Sequence, residues 1–245
     1  MKIHYNKTFI GVLILSILIT PALSFAAETK VKTGGFCSNI DTVTQKFVDQ
    51  LNTKTESFTN KKDARLPKLT ENWSTRDQKR TDNWNSQDSK VNARIDALMT
   101  KADTDTKKAA VTSFEQSVNT SISNRRSTVS SAIETFRSGV ESLVNNKLNL
   151  VDGRVATLTN SVNEAIITAK NSCSNGTKEV TVRATLKDSI KSAHDIFKSS
   201  NIDSTIKSEI DTLDATRKAS VDQAISQFKS DMAKETADLK TALGK

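Results

Sequence analysis

The residues 71–90, ENWSTRDQKRTDNWNSQDSK, carry the side chains best suited to recognition chemistry in this chain. Asn72-Trp73 recurs as Asn83-Trp84, Asp77 as Asp88 and Lys79 as Lys90, each eleven residues on. Trp73 and Trp84 flank Arg80, and Arg76 follows Trp73 by three residues. Indoles set among guanidinium groups can stack on a glycan or a nucleobase, or form the hot spot of a protein interface. The same side chains can instead wedge between helices, with Arg80 stacked on Trp84 across one turn. The residues alone leave both readings open, and Trp73, Arg76, Arg80 and Trp84 are the candidate partner-contact set.

Catalysis finds little material elsewhere. Beyond the start of the chain the one histidine is His194, in KSAHDIFKSS, where a helical position predicts a solvated or packed ring. No serine sits in an elbow-like glycine frame, no glycine-rich phosphate loop exists, and the acids are scattered among lysines as helix pairs. Cys37 and Cys173 are the two cysteines, 136 residues apart and short of helper ligands for a metal. The reading is of a protein that is not an enzyme, with no catalytic residues, no metal, no cofactor and no small-molecule substrate.

Composition indicates where such a chain works and how it is built. Lys2 and Lys7 precede an apolar run, Phe9 to Ile19, then Pro21 and the small residues of Ser24-Phe25-Ala26. That order predicts a signal peptide over 1–26, cleaved after Ala26. The run is shorter than the roughly 20 residues that span a bilayer, and Thr-Gly-Gly-Phe before Cys37 is not a lipobox. The chain is therefore expected in the periplasm, secreted or at the cell surface, where two cysteines would pair. Loss of Lys2 and Lys7 lowers the formal charge from +8 to +6, a mild excess that permits anionic partners without requiring them. Seven glycines, two prolines and few aromatics suit long helices with thin apolar seams better than a sheet-based enzyme.

Laid out in elevens from Phe36, the recurrent tryptophans fall into a longer pattern. One position reads Phe36, Phe47, Phe58, Leu69, Arg80, Val91, Ala102, and four residues later Ile40, Leu51, Lys62, Trp73, Trp84, Ile95. Eleven residues at ~100° each return to one helix face within ~20°. Such a period is about 3.67 residues per turn and predicts straight or slightly right-handed packing. The third position, three residues further on, is apolar at Val43 and Leu98 but reads Lys54, Arg65, Arg76 and Gln87 between them. Those side chains, with Lys62 and Arg80, would have to snorkel, which predicts softness between Phe58 and Lys90. Pro67 is expected to kink this first helix, since Phe58 and Leu69 stay in phase across it.

A second block runs in a new phase, as Val118, Val129, Val140, Val151, Val162 and Cys173. Ile122, Ile133, Val144, Val155 and Ile166 follow four residues behind, and the phase persists through Gly139 and Gly153. The register jumps between Ala102 and Ser113, where Asp103-Thr104-Asp105-Thr106 offers turn and N-cap chemistry. A reversal near residue 105 makes facing residues sum to about 210, a rule that Cys37 and Cys173 satisfy. It sets Arg126 opposite Trp84 and Arg137 opposite Trp73. Asn175-Gly176 marks a second turn and, with Thr177, a glycosylation acceptor in form. From Glu179 an apolar pattern resumes, shifting at Ser199-Ser200-Asn201.

The expectation is an all-α, elongated antiparallel helical bundle with coiled-coil-like, 11-residue amphipathic repeats. It comprises a flexible segment over 27–35, a disulfide-stapled hairpin over 36–174 with its turn near 103–108, and a C-terminal helical segment over 175–245 hinged near 199–201. Three seams would share one core; a four-helix version folds the last segment back at Ser200. The expected role is a structural spacer, scaffold or adhesion module of the cell envelope, working with a protein partner or a second copy of itself. The alternative is a protein that binds membrane surfaces, lipid or anionic envelope polymers; nucleic acid is not expected. In pattern only, the lysine-flanked elevens resemble the lipid-surface helices of exchangeable apolipoproteins, which would place the seam on a membrane. Narrow Val/Ile seams and the cysteine pair favour a closed hairpin instead. Intact-mass and thiol-labelling measurements on the exported protein should find a chain starting at Ala27 with no free thiol; two free thiols would undo the hairpin reading.

Overall fold

In the computed structural model, residues 35–199 and 203–244 are described. The expected signal peptide over 1–26, residues 27–34 and the positions 200–201 of the expected hinge lie outside them. After a 3-10 turn, Cys37–Asn39, the chain forms α1 (Ile40–Asp63), α2 (Arg65–Lys101), α3 (Asp105–Ser174), α4 (Glu179–Lys198) and α5 (Asp203–Ala242). The protein is all-α, and among the described residues there is no strand.

Helix breaks follow local chemistry. Thr104 caps α3: its Oγ1 accepts from the Lys107 amide and its carbonyl from the Lys108 amide. Lys107 also bridges to Asp103 at 2.8 Å. These bonds satisfy amides that the first turn of a helix leaves unpaired. The other end of α3 closes in a Schellman motif. The Gly176 amide donates to the Cys173 carbonyl and the Thr177 amide to Ser172, while Gly176 takes φ of 73°. Pro67 acts differently from the kink expected of it. The helix is interrupted at Ala64, three residues earlier, and Pro67 falls in the first turn of α2. Proline cannot donate to the carbonyl of Asp63 and its ring crowds that carbonyl, so the ladder ends there and restarts.

The chain divides into two compact units. The first combines α1, α4 and the part of α3 from residue 143. Its core draws Ile40 and Leu51 from α1, Leu158, Val162, Ile166 and Ala169 from α3, and Val182, Leu186, Ile190 and Ala193 from α4. Cys37 and Cys173 are bonded beside it, with Cα atoms 5.4 Å apart. Lys170–Asp41 at 2.6 Å and Lys62–Asp152 at 2.9 Å continue the antiparallel pairing of α1 with α3. Glu179, at the start of α4, accepts from the amides of Phe36 (2.9 Å) and Cys37 (3.2 Å). A carboxylate there complements the positive end of the helix that follows. A Cβ on Gly35 would collide with the Glu179 carboxylate, so only glycine leaves room for this cap.

The second unit combines α2, α3 up to residue 142 and α5 from residue 209. Ile95, Ala102, Val111 and Leu239 form its core near the α2–α3 turn. Ile40, Leu51, Trp73 and Ile95 are buried at eleven-residue multiples, as are Val118, Val140, Val151 and Val162 in α3. The intervening Lys62, Arg80 and Trp84 are half-buried.

α3 runs unbroken through Gly139 and Gly153, and the two glycines differ in surroundings. A Cβ at Gly139 would lie 2.7 Å from Leu213 Cδ1, whereas at Gly153 it would meet nothing within 4 Å. Gly153→Ala should stabilise the fold by about 0.5–1 kcal/mol, the helix-propensity difference, seen as a higher melting temperature. Gly139→Ala should gain less or lose stability, because Leu213 must move. Equal gains at both positions would show that the Leu213 contact is not made.

Candidate functional site

The two tryptophans belong to two copies of one arrangement, both in the second unit. Trp73 and Asp77 lie one turn apart on α2, as do Trp84 and Asp88, so each indole and carboxylate share a helix face. From α3, Arg137 forks onto Asp77, donating Nη1 to Oδ2 at 2.7 Å and Nη2 to Oδ1 at 2.6 Å. Its Nη2 also reaches the Trp73 carbonyl at 3.4 Å, and its guanidinium lies 5.3 Å from the Trp73 ring centre. Arg126 repeats every contact eleven residues earlier. It donates to Asp88 at 2.8 and 2.6 Å and to the Trp84 carbonyl at 3.2 Å, with 5.1 Å to the Trp84 ring. The repeat of eleven on α2 meets an antiparallel repeat of eleven on α3.

Arg80 couples the copies. It bonds Asp77 at 2.9 Å and stands 5.4 Å from the Trp84 ring centre, so the Trp84 ring has both Arg80 and Arg126 beside it. The Nε atoms of Arg80 and Arg126 are buried without a hydrogen-bond partner, and the electron-rich indole face offers both cations an electrostatic partner. Arg76 is half-buried and makes no ion pair or hydrogen bond with a described residue. The structure thus brings Trp73, Arg80 and Trp84 together with Asp77, Asp88, Arg126 and Arg137, and leaves Arg76 outside the set.

Two more stacks extend the pattern to α5. Arg125 lies 4.2 Å from the Phe228 ring and Arg217, paired with Asp214, 4.8 Å from Phe136. Burial, with Arg126 beside it, holds Arg125 below its ordinary pKa. Trp73 is 7% exposed and Trp84 half-buried, so the indoles serve helix packing and only Trp84 keeps an accessible part. An open groove of about 830 Å³ adjoins the second copy, with Val91 and Ile122 among its apolar lining and Asp96, Glu115, Asn92 and Asn119 among its polar lining. Among the described residues no three His, Cys, Asp or Glu side chains are placed to hold a metal ion, and no helix is long and apolar enough to cross a membrane.

The sequence signal for Asp77 and Asp88 was their recurrence with the tryptophans. Glu179 gave none beyond its place after a turn, since its partners are amides 142 and 143 residues away. Fold and contacts define a disulfide-bonded, all-α helical bundle cross-linked by Trp–Asp–Arg sets. No known protein family, curated protein or solved structure matches the chain.

The hydrogen bond from Arg137 is the largest influence lowering the Asp77 pKa, and that from Arg126 does the same for Asp88. A carboxyl group whose pKa is lower folded than unfolded stabilises the fold above its unfolded value, near 3.9, and loses that effect as pH falls through the folded value. Thermal stability should therefore drop below about pH 4, and more steeply in the native protein than in an Asp77→Asn/Asp88→Asn variant. Melting curves followed by circular dichroism between neutral and acid pH test this. Parallel losses in both proteins would assign the acid sensitivity to other groups.

Proposed function

We propose that this protein is a non-enzymatic helical spacer, scaffold or interaction module that works in the cell envelope after export. The observation that carries the reading is the use made of its most reactive-looking residues. Trp73, Trp84, Arg80, Arg126 and Arg137 are engaged with one another and with Asp77 and Asp88 across a helix–helix seam. Side chains so engaged hold α2 to α3, and their forks give the contact an orientation that apolar packing alone would not impose. The Cys37–Cys173 bond supports an oxidising location, and the segment 1–26 has the order of an export signal.

Trp73→Ala with Trp84→Ala should lower the melting temperature and leave capture of any native partner no weaker than the reduced amount of folded protein explains. Truncating a buried tryptophan costs roughly 3–5 kcal/mol, so the buried Trp73 should dominate the effect. Unchanged stability with abolished cross-linking to a partner would turn the set into a contact site. Circular dichroism separates the lipid-surface alternative: full helicity in buffer supports the bundle, and coil that becomes helical only on liposomes refutes it.

A further inference from the structure

The charges of the first unit are sorted by side. On α1, at about 100° per residue, Lys46, Lys54 and Lys61 fall to one side of the buried face of Ile40, Leu51 and Phe58. Asp41, Asp49, Glu56 and Asp63 fall to the other. The acidic side faces α3, since Asp41 pairs with Lys170 there. The lysine side is therefore turned away from α3.

α4 shows the mirror arrangement. Thr181, Thr185, Ser189 and Ser192 line the furrow it shares with α3. Arg183, Lys187, Lys191 and Lys198 follow one another along the opposite flank and are all exposed. With α3 on the far side of both helices, the two basic flanks border the same furrow, between α1 and α4. The bonds from Phe36 and Cys37 to Glu179 fix the register of these parallel helices at an offset of 143 residues. Lys46 then stands level with Ser189, between Lys187 and Lys191, and Lys54 stands level with Phe197, beside Lys198. Lys46, Lys54, Arg183, Lys191 and Lys198 make no ion pair with a described residue. On α4, Asp188 and Asp195 sit at the outer edge, and Glu179, one turn before Arg183, stands at the head of the furrow with its carboxylate taken up by the Phe36 and Cys37 amides. The row from Arg183 to Lys198 is about 22 Å long at 1.5 Å per residue.

We propose that this α1–α4 furrow is a binding site for a linear, phosphate-bearing polyanion. The cations lie in a line between two helices, which suits a chain molecule laid along them. The buried apolar faces of both helices are turned into the core, and along the basic flank of α4 Val180 alone is a large exposed apolar side chain, so a bilayer would gain little inserted area beyond a row of charges. Ammonium groups on flexible stems suit successive phosphates as point charges without demanding one fixed geometry. The site is independent of the Trp–Asp–Arg sets and of the scaffold reading.

The test is titration of the full mature protein with inorganic polyphosphate at several salt concentrations. A Lys46→Gln/Lys187→Gln/Lys191→Gln variant is set against a control of equal charge, Lys218→Gln/Lys229→Gln/Lys234→Gln, on α5. The substituted side chains are all exposed, and circular dichroism should show unchanged helicity in both. At low salt the furrow variant should bind at least about tenfold more weakly, and its log–log salt slope should shrink by roughly 0.7 to 0.9 for each phosphate no longer neutralised. The control should keep near-native affinity and slope. Equal weakening of both variants would reduce the effect to net charge and overturn the site. So would absence of polyphosphate binding at low salt, or tighter binding to anionic phospholipid vesicles than to polyphosphate at matched phosphate.

Discussion

The Arg137–Asp77 fork stands one turn from Trp73 on a helix with little to bury, and the register of α2 against α3 depends on it and its copy at Arg126–Asp88. Of the 37 residues of α2, only Trp73 and Ile95 are buried. A helix held through so narrow a stripe needs more than transfer of apolar area to fix its rotation against α3. Each arginine supplies two bonds to a carboxylate, one to a backbone carbonyl and a flat face for an indole, and so restricts rotation and axial slip together. The energetic gain is modest, because the pairs are partly wet: the side chains of Arg137 and Asp77 are 18% and 35% exposed. Their contribution lies in register as much as in stability.

The α1–α3 and α2–α3 pairs are each closed at one end, by different means. In the second unit, the Thr104 cap lets a three-residue link reverse the chain. In the first, Cys37 and Cys173 close a loop of 136 residues, a constraint on the unfolded chain of about 5 kcal/mol in the chain-entropy model. The bond does not act alone there. Glu179 caps the amides of Phe36 and Cys37, and the Schellman turn takes up the carbonyl of Cys173, so backbone groups beside both sulfurs are satisfied. A capped turn for one pair and a covalent staple for the other suit helices whose seams cannot define the pairing by area.

Helical class and antiparallel pairing were legible because an eleven-residue period is a property of sequence alone, and a phase jump marks where a helix must stop. The sum of 210 set Arg126 against Trp84 and Arg137 against Trp73, and the structure has those stacks. It could not reveal that Asp77 and Asp88 complete them, since a carboxylate one turn from a tryptophan is ordinary on any solvated helix. The break at Ala64 was hidden because the apolar phase runs through it, while proline acts on the carbonyl four residues back. Glu179 was hidden by distance in sequence. The charge sorting of α1 and α4 was hidden by averaging: a net +8 looks diffuse until the helices are rotated into place.

The chain assigns its two cations to different work, and their chemistry explains the division. Arg80, Arg125, Arg126, Arg137 and Arg217 are all partly buried over aromatic rings. A guanidinium is weakly hydrated, planar and permanently charged, so it tolerates half-burial if its fork and its face are both occupied. An ammonium group is strongly hydrated and would lose more by the same burial. Lys46, Lys187, Lys191 and Lys198 accordingly stand outside, whereas Lys147, 5% exposed on α3, is the lysine that the packing takes in. A surface of ammonium groups attracts anions only where its charges accumulate, because a Debye length of about 8 Å at physiological ionic strength screens isolated ones. In the first unit, the α1–α4 furrow is where two helices turn basic flanks toward each other. The second unit thus draws its arginines onto aromatic rings, and the first leaves a row of exposed cations, mostly lysines, along one line.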